Sequence, residues 1–133
     1  MVTTENSMEE IREYFSHDTF ADNCGCKIIE CDVGYSLVEM PITPAILNAN
    51  GGVMGGAMFT LADFAMGVAA NLDNKPTLAI EANIRFFTGV KGEKLIGRCT
   101  ADKAGRSVGF YSVEISDDLG TNIAHFTCTA HRS

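Results

Sequence analysis

The chain has 133 residues, of which 46% are hydrophobic and 20% charged, and its formal net charge is −7. This length suits one folded domain, residues 1–133, and leaves no room for a second of useful size. The negative charge argues against nucleic acid or an anionic membrane as a partner, because both would repel an acidic protein. Composition and charge therefore favour one folded domain that binds neither nucleic acid nor an anionic membrane.

The N-terminal residues and the cysteines indicate the cellular compartment in which the protein is expected. Residues 1–12 are polar and acidic, unlike a signal peptide, and the five cysteines are odd in number and irregularly spaced. Cys24 and Cys26 lack the second pair that a typical metal site would need, so we expect the thiols to be small apolar fillers and expect no metal. This pattern predicts a cytoplasmic protein with reduced thiols.

The first half of the chain predicts a short helix and a hairpin. Residues from 4 to about 20 carry apolar side chains at helical spacing, with Asn6 or Ser7 as the cap, so we expect an amphipathic cover helix. Residues 26–33 and 36–42 are rich in strand formers and are separated by Gly34. Pro41 and Pro44 then end the regular pairing.

A glycine-rich loop and a long apolar helix, residues 55–71, follow. Asp63 is the only charged residue of this helix. An ionised carboxylate is costly to bury, so Asp63 should be paired, have a raised pKa or face a cavity with water or ligand. The alternative is that it lies on an exposed stripe or caps a neighbouring backbone segment. The preceding glycines favour a functional role.

The second half predicts four strands, residues 77–88, 93–103, 107–116 and 121–131, joined by short segments rich in turn residues. We interpret them as a meander of antiparallel strands. Together with the first hairpin they predict an α+β domain in which an antiparallel six-stranded sheet wraps around one long central helix.

The loop and the helix also predict a dimer. Backbone N–H groups at Gly55 and Gly56 are free to approach a ligand, and the helix dipole favours negative charge there, so they can hold a carbonyl oxygen that becomes an oxyanion. Asp63 lies about 12 Å further along the helix axis, too far to act on the same carbonyl. If both groups act on the same atom, a second chain must supply one of them, and the open edges of a six-stranded sheet invite such pairing.

These residues resemble a known family. The pattern N-x-x-G-x-x-H-G-G, followed by a helix with L-x-D, is typical of hotdog-fold acyl-CoA thioesterases of the PaaI-like group, named after the phenylacetate pathway. Residues 81–87 are also similar to a strand of that family, and the likeness extends from about Phe20 to the C-terminus. The positions that match the pattern are Asn48, Gly51, Gly55, Gly56, Leu61 and Asp63.

The resemblance implies a function and roles. A homodimer or a dimer of dimers would hydrolyse a medium-chain or aromatic acyl-CoA, with coenzyme A as part of the substrate and no separate cofactor. The Gly55 N–H would polarise the thioester carbonyl, and Asp63 of the other subunit would serve as general base or nucleophile. Asn48 would help to hold the carbonyl or the attacking water.

Two departures from the family pattern leave an alternative open. Met54 stands where the family has histidine, and it cannot donate a conventional hydrogen bond. Near Ala79 the family often has a serine or threonine that positions water, and Thr77, on the same strand face, is a candidate substitute. If Met54 is a tolerated replacement, the protein is an enzyme. Otherwise it is a non-catalytic module that binds acyl-CoA or an acyl carrier.

Substrate contacts are also predicted. Met54 is expected to line the acyl cavity, because a thioether chain adapts to varied apolar ligands. Basic residues concentrate after the long helix, and Arg106 in a turn, and Arg85, are candidates for binding the phosphates of coenzyme A. An ordinary charged strand surface is the alternative for both.

Overall fold

A computed structural model describes residues 1–133. The predicted central helix and all six strands are present, and their ends differ from the expected ones by at most two residues. None of the helices is long and apolar enough to span a bilayer. In chain order the elements are α1 (Met8–Phe15), α2 (Thr19–Asn23), β1 (Lys27–Asp32), β2 (Tyr35–Pro41), a 3₁₀ turn (Pro44–Ile46), α3 (Gly55–Ala70), β3 (Thr77–Phe86), β4 (Lys94–Ala104), β5 (Val108–Asp117) and β6 (Asn122–Arg132).

The N-terminal region contains two short helices, so the prediction of one helix over residues 4–20 was wrong. Ser7 and Glu10 form a capping box at the start of α1, in which the Glu10 N–H donates to Ser7 Oγ over 3.1 Å. At the other end, Ser16 Oγ donates to the Glu13 carbonyl, and the His17 N–H bonds three residues back to Tyr14. These short-range bonds tighten the last turn and end the helix.

The six strands form one antiparallel sheet in the order β1-β2-β4-β5-β6-β3. The prediction that the last four strands form a meander was therefore wrong for β3. Strands β4, β5 and β6 do form one, but β3 pairs with β6 and lies at the sheet edge. The chain from β3 to β4 crosses the ends of the intervening strands, where the Phe87 N–H donates to the Ile123 carbonyl over 2.7 Å.

Asp117, at the end of β5, fixes this crossing segment. Its side chain is only 2% exposed. One carboxylate oxygen accepts from the N–H groups of Lys91 and Gly92, each at 2.9 Å, and the other accepts from those of Leu119 and Thr121. Burial opposes ionisation of this carboxyl, but the four backbone donors outweigh it and hold the pKa of Asp117 well below its usual range.

The sheet wraps around α3, and the core lies between them. Ten of the sixteen residues of α3 are buried, as expected for a helix that is apolar on nearly all sides. Gly97 of β4 allows Leu61 to approach, because a Cβ atom there would lie 3.2 Å from the Leu61 side chain. The buried Ser36 hydroxyl donates to the Ala65 carbonyl over 2.6 Å, which ties β2 to the helix.

Candidate active site

Asn48 closes the glycine-rich loop on itself. Its backbone N–H donates to the Gly52 carbonyl over 2.7 Å, and its side-chain oxygen accepts from the N–H groups of Asn50 and Gly52. Gly51 occupies a left-handed conformation with φ of 82°, which glycine adopts without strain. The exposed Asn48 amide nitrogen makes no hydrogen bond within the protein, so it can donate to a ligand.

The start of α3 leaves two backbone donors free. Met54 is the N-cap residue, in extended conformation, and its side chain forms no capping hydrogen bond. Its N–H donates to the Ile46 carbonyl over 2.8 Å, and its carbonyl accepts from Ala57. The N–H groups of Gly55 and Gly56 therefore have no acceptor within the protein. The helix dipole favours an anion at this point, so the arrangement can bind a carbonyl oxygen that gains negative charge.

Asp63 lies on the exposed side of α3 and borders two cavities, of about 580 and 430 Å³. Neighbouring side chains remove water from part of the carboxylate, which raises the pKa of Asp63, and the negative charge of Asp18 adds to this rise. A carboxylate of raised pKa is a stronger base than usual. The larger cavity is lined by Tyr14, Phe15, His17, Asp18, Asp63, Met66, Gly67, Asn71, Thr77, Leu78 and Ala79.

Strand β3 connects the surroundings of Gly55 with those of Asp63. Its first residues, 77–79, line the larger Asp63 cavity. Its last residue, Phe86, lies against Gly55, where an added Cβ atom would be 3.0 Å from the tip of the ring. Within one chain Gly55 and Asp63 remain about 12 Å apart along α3, so the chain does not bring these two predicted residues together.

Thr77 borders the Asp63 cavity, but its hydroxyl already has partners. It donates to the Lys75 carbonyl over 2.8 Å and accepts from Arg132 over 3.4 Å. Arg132 is only 6% exposed and also bonds to Tyr111 and to Asp73, the latter as an ion pair of 2.5 Å. This buried network fixes the start of β3 beside Asp63.

Arg85 and Arg106 lie near opposite ends of β3. Arg85 is exposed, is paired with His125 of β6, and holds its guanidinium 5.9 Å from the centre of the Phe87 ring. Arg106 is exposed in the turn between β4 and β5, beside Gly105, whose carbonyl accepts from Arg132. Neither Arg85 nor Arg106 forms an ion pair, so both are free to meet an anionic group.

Comparison with known proteins decides the family. The model of the thioesterase superfamily matches residues 50–124. The chain is 30% identical over 119 residues to the acyl-coenzyme A thioesterase PaaI of Escherichia coli, a match that covers 89% of this chain and 85% of the relative. This chain belongs to the thioesterase superfamily.

Solved structures place it among the PaaI-like members with the hotdog fold. The PaaI protein of the E. coli phenylacetic acid degradation operon matches with a TM-score of 0.82 and 26% identity, covering 96% of each chain. The phenylacetic acid degradation protein PaaI of Thermus thermophilus, in a mutant form, gives the same TM-score and identity over 87% of this chain and all of the other. The resemblance and the fold predicted from the sequence are thus confirmed, and this thioesterase is a thioester hydrolase.

Parts of the site were not predicted from the sequence. Tyr14, His17 and Asp18 border the same cavity as Asp63, and Phe86 covers Gly55. The α1–α2 corner has no motif of its own, and its approach to α3 depends on where the N-terminal helices pack. The two consecutive aromatic residues at 86 and 87, near the end of the predicted strand, were the available signal for Phe86.

Proposed function

We propose that this thioesterase hydrolyses medium-chain or aromatic acyl-CoA to the free acid and coenzyme A, as a homodimer or a dimer of dimers. The name of the E. coli relative supports acyl-CoA as the substrate class. Phe15, Met66, Leu78 and Ala79 give the larger cavity beside Asp63 an apolar part that suits an acyl group. Arg85 and Arg106 are the proposed contacts for the phosphates of coenzyme A.

In the proposed reaction, Asp63 takes a proton from a water molecule whose oxygen attacks the thioester carbonyl. The carbonyl electron pair moves to oxygen, which the Gly55 N–H stabilises and Asn48 helps to orient. The intermediate then collapses, the carbon–sulfur bond breaks, and the sulfur of coenzyme A leaves with the electron pair and receives the proton from Asp63. If Asp63 instead attacks as a nucleophile, its oxygen bonds to the acyl carbon, the carbon–sulfur bond breaks and coenzyme A leaves as the thiolate, which gives a mixed anhydride. Water then hydrolyses this anhydride to the free acid and the Asp63 carboxylate, and its second proton neutralises the thiolate.

The position of β3 is the observation that carries the two-chain site. β3 is an edge strand with an unpaired side, and Leu78, Ile80 and Phe86 are 75%, 65% and 52% exposed. If two copies pair through β3 in antiparallel fashion, the end of one strand meets the start of the other. Phe86 lies against Gly55, and residues 77–79 border Asp63. The pairing therefore brings each Gly55 towards the Asp63 of the other chain.

Met54 is compatible with this reaction. The loop is closed by Asn48, and the free donors of α3 are backbone N–H groups, so neither depends on a histidine at position 54. With a side chain 56% exposed, Met54 is proposed to contact the substrate beside Gly56. Family membership favours hydrolysis over the non-catalytic binding module.

The test is release of free coenzyme A from short, medium and aromatic acyl-CoAs, resolved by chromatography because thiol dyes would react with the five cysteines. We expect Asp63→Asn to lose at least about a hundredfold in turnover. Asp22→Asn is the matched control, since it also removes one negative charge, but from a residue that lines neither of the Asp63 cavities. Turnover by Asp63→Asn within about tenfold of wild type contradicts the proposed role. A wild type that is silent on every substrate, beside an active Met54→His, would support the binding module.

A further inference from the structure

Asp18, between α1 and α2, borders both cavities that Asp63 borders. It occupies the N-cap position of α2, yet its side chain makes no capping hydrogen bond. The ion pairs of the protein, Lys94 with Glu39 and Arg132 with Asp73, do not include it. Its carboxylate thus has neither the usual structural task of an N-cap aspartate nor a cation to neutralise it.

Among the residues that line the two cavities, Asp18 is the only acidic one besides Asp63. Residues 77–79 of β3 are uncharged, and α3 has no other charged residue. Cys128 of β6 is buried, and this burial together with the charges of Asp63 and Glu81 raises its pKa to about 11, so the thiol is neutral. Tyr14 and His17 face the larger cavity from the end of α1. His17 is the only basic side chain that lines this cavity.

We propose that Asp18 is a positioning residue for the thioesterase reaction, which acts through Asp63 by making that carboxylate a stronger base. The inference rests on the proposed function, in which Asp63 activates water or attacks the thioester itself. A nearby negative charge disfavours the ionised form of a carboxyl, so Asp63 binds its proton more tightly. The pKa shift of Asp63 has this direction, with loss of water as its larger cause and Asp18 as the second.

Replacement of Asp18 by a neutral residue should therefore lower the pKa of Asp63. Without the neighbouring charge, Asp63 ionises at lower pH, so the acid limb of the kcat/KM profile moves to lower pH. The ionised Asp63 is then a weaker base, so the rate on the plateau falls. A merely structural role of Asp18 would lower the rate at every pH without moving the limb.

The first measurement is kcat/KM against pH for wild type, Asp18→Asn and Asp18→Glu, at low and high ionic strength. For Asp18→Asn we expect activity on the acid limb, relative to the plateau, to rise by about twofold or more. Asp18→Glu should restore the wild-type profile, and salt at about 1 M should shrink the difference, because exposed charges are screened. Asp22→Asn, on the same helix but facing another cavity, should leave the limb in place. His17→Gln tests whether the neighbouring histidine contributes to the profile.

The second measurement follows the carboxyl carbon of Asp63 by ¹³C NMR in the free enzyme, with Asp63→Asn used to assign the signal. The titration of Asp63 should move to lower pH in Asp18→Asn. If it does not move, the inference is overturned, whatever the rates show. If the NMR titration moves but the limb of the rate profile does not, Asp18 does not act on the reaction through Asp63. An active Asp63→Asn variant, by contrast, overturns the proposed function itself.

Discussion

Phe86, the last residue of β3, packs against Gly55, the first residue of α3. A Cβ atom at Gly55 would lie 3.0 Å from the tip of the Phe86 ring, so the edge strand and the start of α3 are in direct contact. The other end of the same strand borders the cavity of Asp63. A partner that pairs with the free side of β3 therefore lies beside both Gly55 and the cavity of Asp63.

The two-chain site predicts complementation between two inactive variants. Gly55→Pro removes the N–H donor, and proline is well tolerated at the first position of a helix; Asp63→Asn removes the base. In a hybrid dimer one of the two sites contains an intact Gly55 and an intact Asp63. An equal mixture that is unfolded and refolded together should regain about a quarter of wild-type turnover, because half of the dimers are hybrid and each has one working site.

Gly55→Ala is the control for this experiment. It adds the same Cβ atom beside Phe86 but keeps the N–H group, so a steric effect on the loop would appear in both variants. We expect Gly55→Ala to retain clearly more activity than Gly55→Pro, by about tenfold or more, as for loss of an oxyanion donor. Absence of any activity in the refolded mixture, with each variant folded, would contradict a site shared between two chains.

Ile80→Lys should dissociate the proposed dimer. Ile80 is 65% exposed on the edge strand, and charged residues, lysine above all, oppose pairing of strand edges. We expect a monomer in analytical ultracentrifugation and loss of most of the turnover, since each Gly55 then lacks the second chain's Asp63. Leu119→Lys replaces a residue that is 70% exposed in the turn between β5 and β6 and should change neither property. A dimeric, fully active Ile80→Lys variant would exclude β3 as the interface.

Asp117→Asn should reduce stability in a pH-dependent way. The pKa of Asp117 is lower in the folded protein than in the unfolded chain, so its contribution is fully present above the unfolded value of about 3.9 and is lost as pH falls through the folded value. The variant should unfold at lower denaturant concentration than wild type at about pH 7. The difference should narrow as the pH falls below about 4. A difference between the two denaturation midpoints that stays constant across this pH range would contradict the lowered pKa of Asp117.

Tyr111→Phe should destabilise the protein by about 2 kcal/mol, a value expected for a hydrogen bond to a charged group. Its hydroxyl accepts from Nη1 of the buried Arg132 over 2.8 Å, and the substitution leaves this nitrogen with only its longer bond to Thr77. Tyr35→Phe is the matched control, because the Tyr35 hydroxyl accepts from the exposed Arg98 over 2.6 Å. Water can replace that bond, so Tyr35→Phe should cost less than about 0.5 kcal/mol. Urea denaturation of both variants distinguishes the two contacts.

The elements that depend on local sequence were predicted well. The apolar run after the glycine loop defines α3, and the turn residues between strands fix the ends of β4, β5 and β6 within a residue. The glycines at 55 and 56 and the lone charge at 63 likewise stand out in the sequence. Each of these signals lies within a window of a few residues, where helix and strand periodicities act.

What the sequence did not predict depends on contacts between distant residues. Nothing near β3 indicates that it pairs with β6 rather than β4, since both neighbours have suitable strand patterns. Asp18 and Asp63 are 45 positions apart in the sequence, and only the packing of the N-terminal helices beside α3 brings them to one cavity. The break between α1 and α2 follows Phe15, where Ser16 is the C-cap and its hydroxyl bonds to the Glu13 carbonyl, a local arrangement that the apolar spacing does not indicate.

The pairing of β3 with β6 also affects the order in which the protein folds. Glu81 and Thr129 are in contact across this pair although 48 residues separate them, whereas β4, β5 and β6 are joined by tight turns. Closing the long loop costs more entropy than forming the meander, so we expect the meander to form early and β3 to dock late. The edge formed by β3 would then be the last part of the sheet to complete, and the first to be lost when the native state opens locally.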